Sequence, residues 1–315
     1  MSLEPADVAR LGLGLAAIGR PAYITAGRGH DLGPPAQRTV ASMRSRTHAL
    51  LDSAWSAGIR YVDVARSYGR AEEFLGEWLA AHPGRRAQLR LGSKWGYEYV
   101  GNWRADAPLH ERKQHSRAML DKQWPQTLQA LGGPPDWYLI HSVTPDSPAL
   151  TDRDLLAALS ELAATGIRIG LSTSGPAQAA VIERALALRS VPFSVVQSTW
   201  NLLEQSATQA LLRAHAAGWQ VIVKEVFANG RLAGTAAPPA IRQVAEQQGR
   251  TVESVALGTV LAQPWVDLAL TGAVTGDQLA ANLAADVAAP LPDLLHGLAV
   301  AAPEYWHARG ELSWA

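Results

Sequence analysis

Short runs of β-branched and apolar residues alternate along the chain with longer stretches in which apolar residues return every third or fourth position. The short runs number eight: LGLGLAAIG (11–19), RYVDV (60–64), QLRLGSK (88–94), DWYLIHS (136–142), IRIGLST (167–173), FSVVQS (193–198), QVIVKE (220–225) and DLALTG (267–272). Each has strand length and is bounded by turn residues. Between them, AEEFLGEWLAAH (71–82) gathers Phe74, Leu75, Trp78 and Leu79 on one helical face, with Glu72 and Glu73 in the first turn, where the helix dipole favours negative charge. LLAALSELAATG (155–166), AQAAVIERALAL and ATQALLRAHAAG repeat the pattern. A glycine closes the helix before the next strand in SAGIRYVDV, AATGIRIGL and HAAGWQVIV, as expected of a C-terminal cap.

Eight strands alternating with helices predict an α/β fold, a (β/α)8 TIM barrel forming a single domain over residues 1–315. Two long connections follow strands, at about 95–116 and 227–239, so they belong to the face of such a barrel where active sites are built. A tail from about residue 290 carries Tyr305, Trp306 and Trp314. It is expected either to reach that face or to pack elsewhere.

Composition narrows the functional classes. Lys and Arg together equal Asp and Glu, 28 of each, so net charge gives no pull toward nucleic acid or an anionic membrane. The absence of cysteine removes disulfides, thiolate nucleophiles and cysteine-ligated zinc. No apolar leader or membrane-length apolar run is present, and a cytoplasmic location is the expectation.

Three motifs fail on context. GLGLAA (12–17) has dinucleotide-fingerprint spacing, with Asp31 at ribose-contact distance, but Pro21 and several glycines follow where a helix should open. HERKQH (110–115) has one residue too many for a zinc helix, since five steps of about 100° separate its imidazoles by about 140°, and reads as a solvated loop. GLSTSG lacks nucleophile-elbow spacing. No metal site is expected.

Barrel closure brings the strand ends to one face. Those ends are Asp63, Lys94, His141, Ser172, Gln197, Lys224 and Gly272, an unusually polar set. Burying Asp, Lys and His together is costly unless they pair. Paired, they supply a specific chemistry: an ammonium about 4 Å from a phenol favours the phenolate by about 4 kcal/mol at an effective dielectric near 20. Lys94, held charged by Asp63, would tune Tyr68, and His141 would present an imidazole N–H to a carbonyl oxygen. This set is suited to protonating a carbonyl oxygen while hydride arrives at carbon.

DVARSYG, GSK, LIH and IGLSTS, in this order, resemble the aldo-keto reductase family, from about Leu11 to about Asn282. The resemblance implies a catalytic tetrad at Asp63, Tyr68, Lys94 and His141, and a nicotinamide cofactor, NADPH by family habit or NADH, bound in extended form on the barrel face. It implies carboxamide contacts from Ser172 and Gln197, an adenine contact from Asn282, and phosphate contacts from the backbone of 227–234, including Phe227 and Arg231, and of 271–275.

Two departures stand out. Lys224 occupies the position where many members stack an aromatic on the nicotinamide. Gly272, Val274 and Gln278 stand where Lys or Arg usually clamps the adenosine 2′-phosphate, a loss of the strongest hydrogen bonds available to it.

Trp95, Tyr97 and Trp200, with Tyr99 and Trp103, are the expected substrate walls, suited to a sugar or an apolar carbonyl compound. The expected partner is that small molecule, in an aldehyde, ketone or aldose reductase. Two other readings are open: a Schiff-base lyase or isomerase using Lys94 or Lys224, and a cofactor-binding barrel with a regulatory role and little turnover.

Overall fold

A computed structural model of the chain describes residues 3–27, 29–285, 287, 295 and 297–314. Ten strands occur among them: β1 (Leu11–Gly14), β2 (Tyr61–Asp63), β3 (Arg90–Trp95), β4 (Tyr97–Tyr99), β5 (Glu111–Lys113), β6 (Trp137–Val143), β7 (Arg168–Thr173), β8 (Val195–Thr199), β9 (Gln220–Lys224) and β10 (Leu268–Thr271). Eight close into a barrel in the order β1-β10-β9-β8-β7-β6-β3-β2, every pairing parallel. The chain is thus a (β/α)8 barrel, as the alternation of elements predicts.

The helices Ala71–Ala81, Arg153–Ala164, Gln178–Ala187 and Thr208–Ala216 fall where the apolar spacing places them. Gly58, Gly166 and Gly218 have φ of 96°, 96° and 82°, a left-handed conformation that ends the preceding helix. No described helix is long and apolar enough to cross a membrane.

Two segments differ from expectation. The first strand stops at Gly14 instead of reaching residue 19: the bond from the Leu15 N–H to the Asp63 carbonyl is its last rung, and the Leu15 carbonyl then accepts the Gly19 N–H across a turn. From there to Thr39 the chain forms an irregular loop over the barrel mouth, a third long connection. The 95–116 connection is no open loop: β4 and β5 pair as an antiparallel hairpin. HERKQH correspondingly is not a solvated loop, since His110 and His115 are both 5% exposed. The tail helix, Ala302–Gly310, packs Tyr305 into an apolar cluster with Leu202, Ile241 and Val244, while the expected start of the tail near residue 290 lies outside the described residues.

Alternation along the strands divides the core. Val62, Leu91, Ile140, Val196 and Val223 face the surrounding helices, whereas Tyr61, Trp137, Leu139, Val195, Ile222 and Leu268 fill the lumen. Gly12 belongs to this packing: a Cβ there would lie 2.5 Å from Tyr61 Cδ1, so the glycine of GLGLAA makes room for a ring. One inward position above the apolar layer come Asp63, Lys94, His141, Gln197 and Lys224. The barrel therefore changes from oil to charge within one step of two residues.

Candidate active site

Strand register assembles the centre of the site. Lys94 Nζ, wholly buried, donates to a carboxylate oxygen of Asp63, to the Val64 carbonyl at 3.1 Å and to Tyr68 Oη at 3.2 Å, which uses all three of its protons. Asp63 is held from two further directions: Gln197 Nε2 donates at 2.7 Å and Tyr61 Oη at 3.2 Å. Tyr68 arrives from the turn after β2, where its N–H reaches the Ala65 carbonyl and Gly69 has φ 61°. A Cβ on Gly69 would come within 2.4 Å of the Gly19 carbonyl, so the glycine lets two mouth loops touch and presses the phenol over the lumen. His141 Nε2 lies 3.5 Å from Tyr68 Oη, and its Nδ1 lies 3.3 Å from Ser67 Oγ.

Burial decides the protonation states. Burial, then the charge of Asp63, pushes the Tyr68 phenol well above its ordinary value. This reverses the balance expected from Lys94 alone, because the carboxylate that fixes the ammonium also opposes phenolate formation. His141 is driven well below its ordinary value by burial and then by Lys94, so its imidazole is neutral. His115 is likewise lowered, to about 4, by burial. Its Nε2 faces the His141 carbonyl at 2.7 Å and must carry the proton, while Nδ1 accepts from Ser147 Oγ at 2.6 Å. His115 thus pins the strand end that presents His141.

A second ionic cluster stands beside the first. Glu225, at φ 56°, is clasped by Arg309 of the tail helix, with Nε 2.9 Å from Oε2 and Nη2 2.5 Å from Oε1. Burial pushes the Glu225 carboxyl up, but Arg309 and Lys224 outweigh it and hold it at about 2. Lys224 donates to Thr199 Oγ1 at 2.9 Å and is lowered to about 8 by burial.

Asp63, Tyr68, His141, Gln197, Lys224, Glu225 and Arg309 line one cavity of about 460 Å³, within the usual range for a ligand site. Its wall near Tyr68 contains residues that the strand-end reading did not include. Arg20, 2% exposed, lies over the rings of Tyr68, Tyr23 and Trp314 at 5.3, 5.4 and 4.7 Å and is 2.9 Å from Glu111 Oε1. Trp314 stacks on His110 with ring centroids 4.2 Å apart. The tail therefore does reach the barrel mouth. The breaker-rich run after β1 marks a loop on the active face, but it does not single out Arg20 or Tyr23 within it.

Of the residues expected around the cofactor, Gln197, Lys224, Phe227, Gly272, Gln278 and Asn282 line this cavity. Ser172 stands just behind it, accepting the N–H of Ser142 at 2.7 Å. Arg231 is turned aside, its guanidinium 4.2 Å from the Tyr305 ring. Tyr97 meets His141 with centroids 4.9 Å apart. Trp95 and Trp200 are not brought to the cavity: Trp95 is buried against His115, and Trp200 packs on Trp265 and donates to Thr208. Among the described residues no group of three His, Asp or Glu is arranged to hold a metal.

The residues present fit an extended dinucleotide. The cavity lining includes Tyr68, Thr271 and Asn282, and also Asn229, whose Oδ1 is buried with no hydrogen-bond partner among the described residues. Ala228, Asn229 and Gly230 all have positive φ, a strained turn at the cavity edge of the kind found around ligands.

The family model for the Aldo/keto reductase family matches residues 11–294. The chain belongs to that family. Aldo-keto reductase membership carries the activity class of an NAD(P)-dependent carbonyl oxidoreductase. Among curated relatives of this aldo-keto reductase, pyridoxal 4-dehydrogenase of Microbacterium luteolum is 26% identical over 69% of the chain and 71% of that protein. Protein tas of Escherichia coli (strain K12) is 28% identical over 75% and 83%. An aldo-keto reductase from Bacillus halodurans, solved in its holo form, superposes with TM-score 0.69 at 22% identity, over 93% of each chain. A putative aldo-keto reductase from Pseudomonas aeruginosa gives 0.63 at 23% identity, over 90% and 94%. These two likenesses speak for the fold.

Proposed function

We propose that this aldo-keto reductase interconverts a carbonyl compound and its alcohol with Tyr68 as the proton carrier. The observation that carries the reading is the placement of Tyr68 Oη, 3.2 Å from Lys94 Nζ and 3.5 Å from His141 Nε2, at the cavity wall. A nicotinamide cofactor, when bound, supplies or takes the hydride. The protein supplies the proton. Tyr68, kept as a phenol by burial, donates to the carbonyl oxygen as carbon receives hydride, and Lys94 meets the negative charge as it forms on Oη. His141, neutral, is placed to donate an N–H to the same oxygen. Asp63, Tyr61 and Gln197 keep Lys94 in place, and since Gln197 Nε2 already serves Asp63, its amide oxygen is the group for the carboxamide.

The reading favours reduction over Schiff-base chemistry at Lys94, whose three protons are committed. The wall of Arg20, Tyr23, Glu111 and Trp314 supports a hydroxylated substrate over a bare alkyl aldehyde, with rings to stack on and charges to accept or donate. The relative from M. luteolum is named for pyridoxal, which joins aldoses and alkyl aldehydes in the assay panel.

The test is Tyr68→Phe assayed by reduced-nicotinamide absorbance. Turnover on the best substrate is expected to fall by about 10² to 10⁴ with cofactor affinity unchanged. A variant as fast as the parent would remove Tyr68 from the mechanism.

A further inference from the structure

HERKQH, too long for a zinc helix, supplies β5 and with it an acid in the cavity wall. Along β5 Arg112 is exposed while Glu111 and Lys113 are partly buried, so the hairpin turns Glu111 inward, opposite Tyr99 of β4. The carboxylate lies one guanidinium away from the phenol: Arg20 Nη1 is 2.9 Å from Glu111 Oε1, and Arg20 Cζ is 5.3 Å from the Tyr68 ring centre.

That contact sets charge against charge without filling the carboxylate's lone pairs. Arg20 directs hydrogen bonds to carbonyls instead, from Nε to Ala16 and from Nη1 to Ser67, each at 3.1 Å. Glu111 Oε1 is buried with no hydrogen-bond partner among the described residues. Buried polar atoms are nearly always satisfied by protein, water or ligand, and this one belongs to a residue in the wall of the cavity. Its charge also reaches the chemistry. Burial, then Asp63, then Glu111 push the Tyr68 phenol up; burial, then Glu111, push Tyr97 up to about 12.

We propose that Glu111 accepts a hydrogen bond from a substrate hydroxyl near the reacting carbonyl, so that the substrate class is a neutral hydroxylated aldehyde or ketone. This rests on the reading of Tyr68 as the proton carrier in carbonyl reduction. A carboxylate is a stronger acceptor for an O–H than a neutral group. Because Arg20 already answers its charge, the pair as a whole favours a neutral donor over an ion. A bare alkyl aldehyde displaces water from Oε1 and returns no hydrogen bond. Trp314 and Tyr23, which share the same guanidinium, offer ring faces to the C–H side of a hydroxylated substrate.

The experiment compares reduction of glyceraldehyde with that of propanal, which lacks the hydroxyls, by the full chain and its Glu111→Gln and Glu111→Leu variants. The quantity read is the ratio of the two kcat/KM values in each variant against the parent's ratio, which cancels the intrinsic reactivity of the aldehydes. Glu111→Leu is expected to lower that ratio by roughly tenfold to a hundredfold, chiefly through the KM for glyceraldehyde. Glu111→Gln, whose amide oxygen still accepts, should lower it by about threefold, and it carries the test if Glu111→Leu, which leaves Arg20 unpaired, does not fold. An unchanged ratio in the folded variants, including an equal loss on both aldehydes, overturns the inference and leaves Glu111 as a holder of Arg20. A parent that prefers propanal overturns it as well. A parent inactive on both aldehydes, or a Tyr68→Phe variant as fast as the parent, instead overturns the reading beneath it.

Discussion

Two buried ion pairs share this cavity and are built in different ways. Asp63 and Lys94 stand on adjacent strands, β2 and β3, and their meeting follows from parallel register alone. Glu225 stands just past the end of β9, and Arg309 reaches it from a helix 84 residues later. The first pair holds the phenol that is proposed to move a proton; the second fastens the tail across the barrel mouth. A pair set by register is as rigid as the barrel. One made across the mouth is as rigid as the docking of the tail.

Breaking each pair should separate these roles. Lys94→Met leaves the 2% exposed Asp63 without its cation. Turnover is expected to fall by about 10³ or more, with roughly 3 to 5 kcal/mol lost in urea unfolding. Arg309→Met should cost about 3 kcal/mol, since Lys224 remains to serve Glu225 only at 3.7 Å, and should raise KM while leaving kcat within a few-fold. Equal losses of kcat in the two variants would contradict the division of roles.

The smallest effect is the pH response of the second pair. Glu225 is held at about 2 against an ordinary 4.5, so it contributes stability that is complete above the ordinary value and lost as pH falls toward the lowered one. Urea midpoints between about pH 5 and pH 3 should fall in the parent and fall less in Arg309→Met, where less of that stabilisation exists to lose.

The same contrast explains what was legible in the sequence. Strand ends such as Asp63, Lys94 and Gln197 could be read because barrel closure converts a position along each strand into a position around one ring. Arg20 and Trp314 could not, because nothing in local periodicity says where a loop of twenty-odd residues or a tail helix comes to rest. Trp95 and Trp200 show the opposite error: both directly follow polar strand ends, but alternation turns the side chain after an inward residue outward, into the packing between sheet and helices. The failed fingerprint is instructive as well. GLGLAA is barrel packing against Tyr61, yet Asp31 still lines the cavity, by way of the mouth loop.

The hydrogen bond from Gln197 to Asp63 spans 134 residues and joins strands that are not neighbours in the sheet. It forms across the lumen, so it exists only once the ring is shut. Recovery of activity during refolding should therefore lag behind recovery of helical signal, because loop-closure entropy must be met for the longest contacts before the proton carrier has its full support.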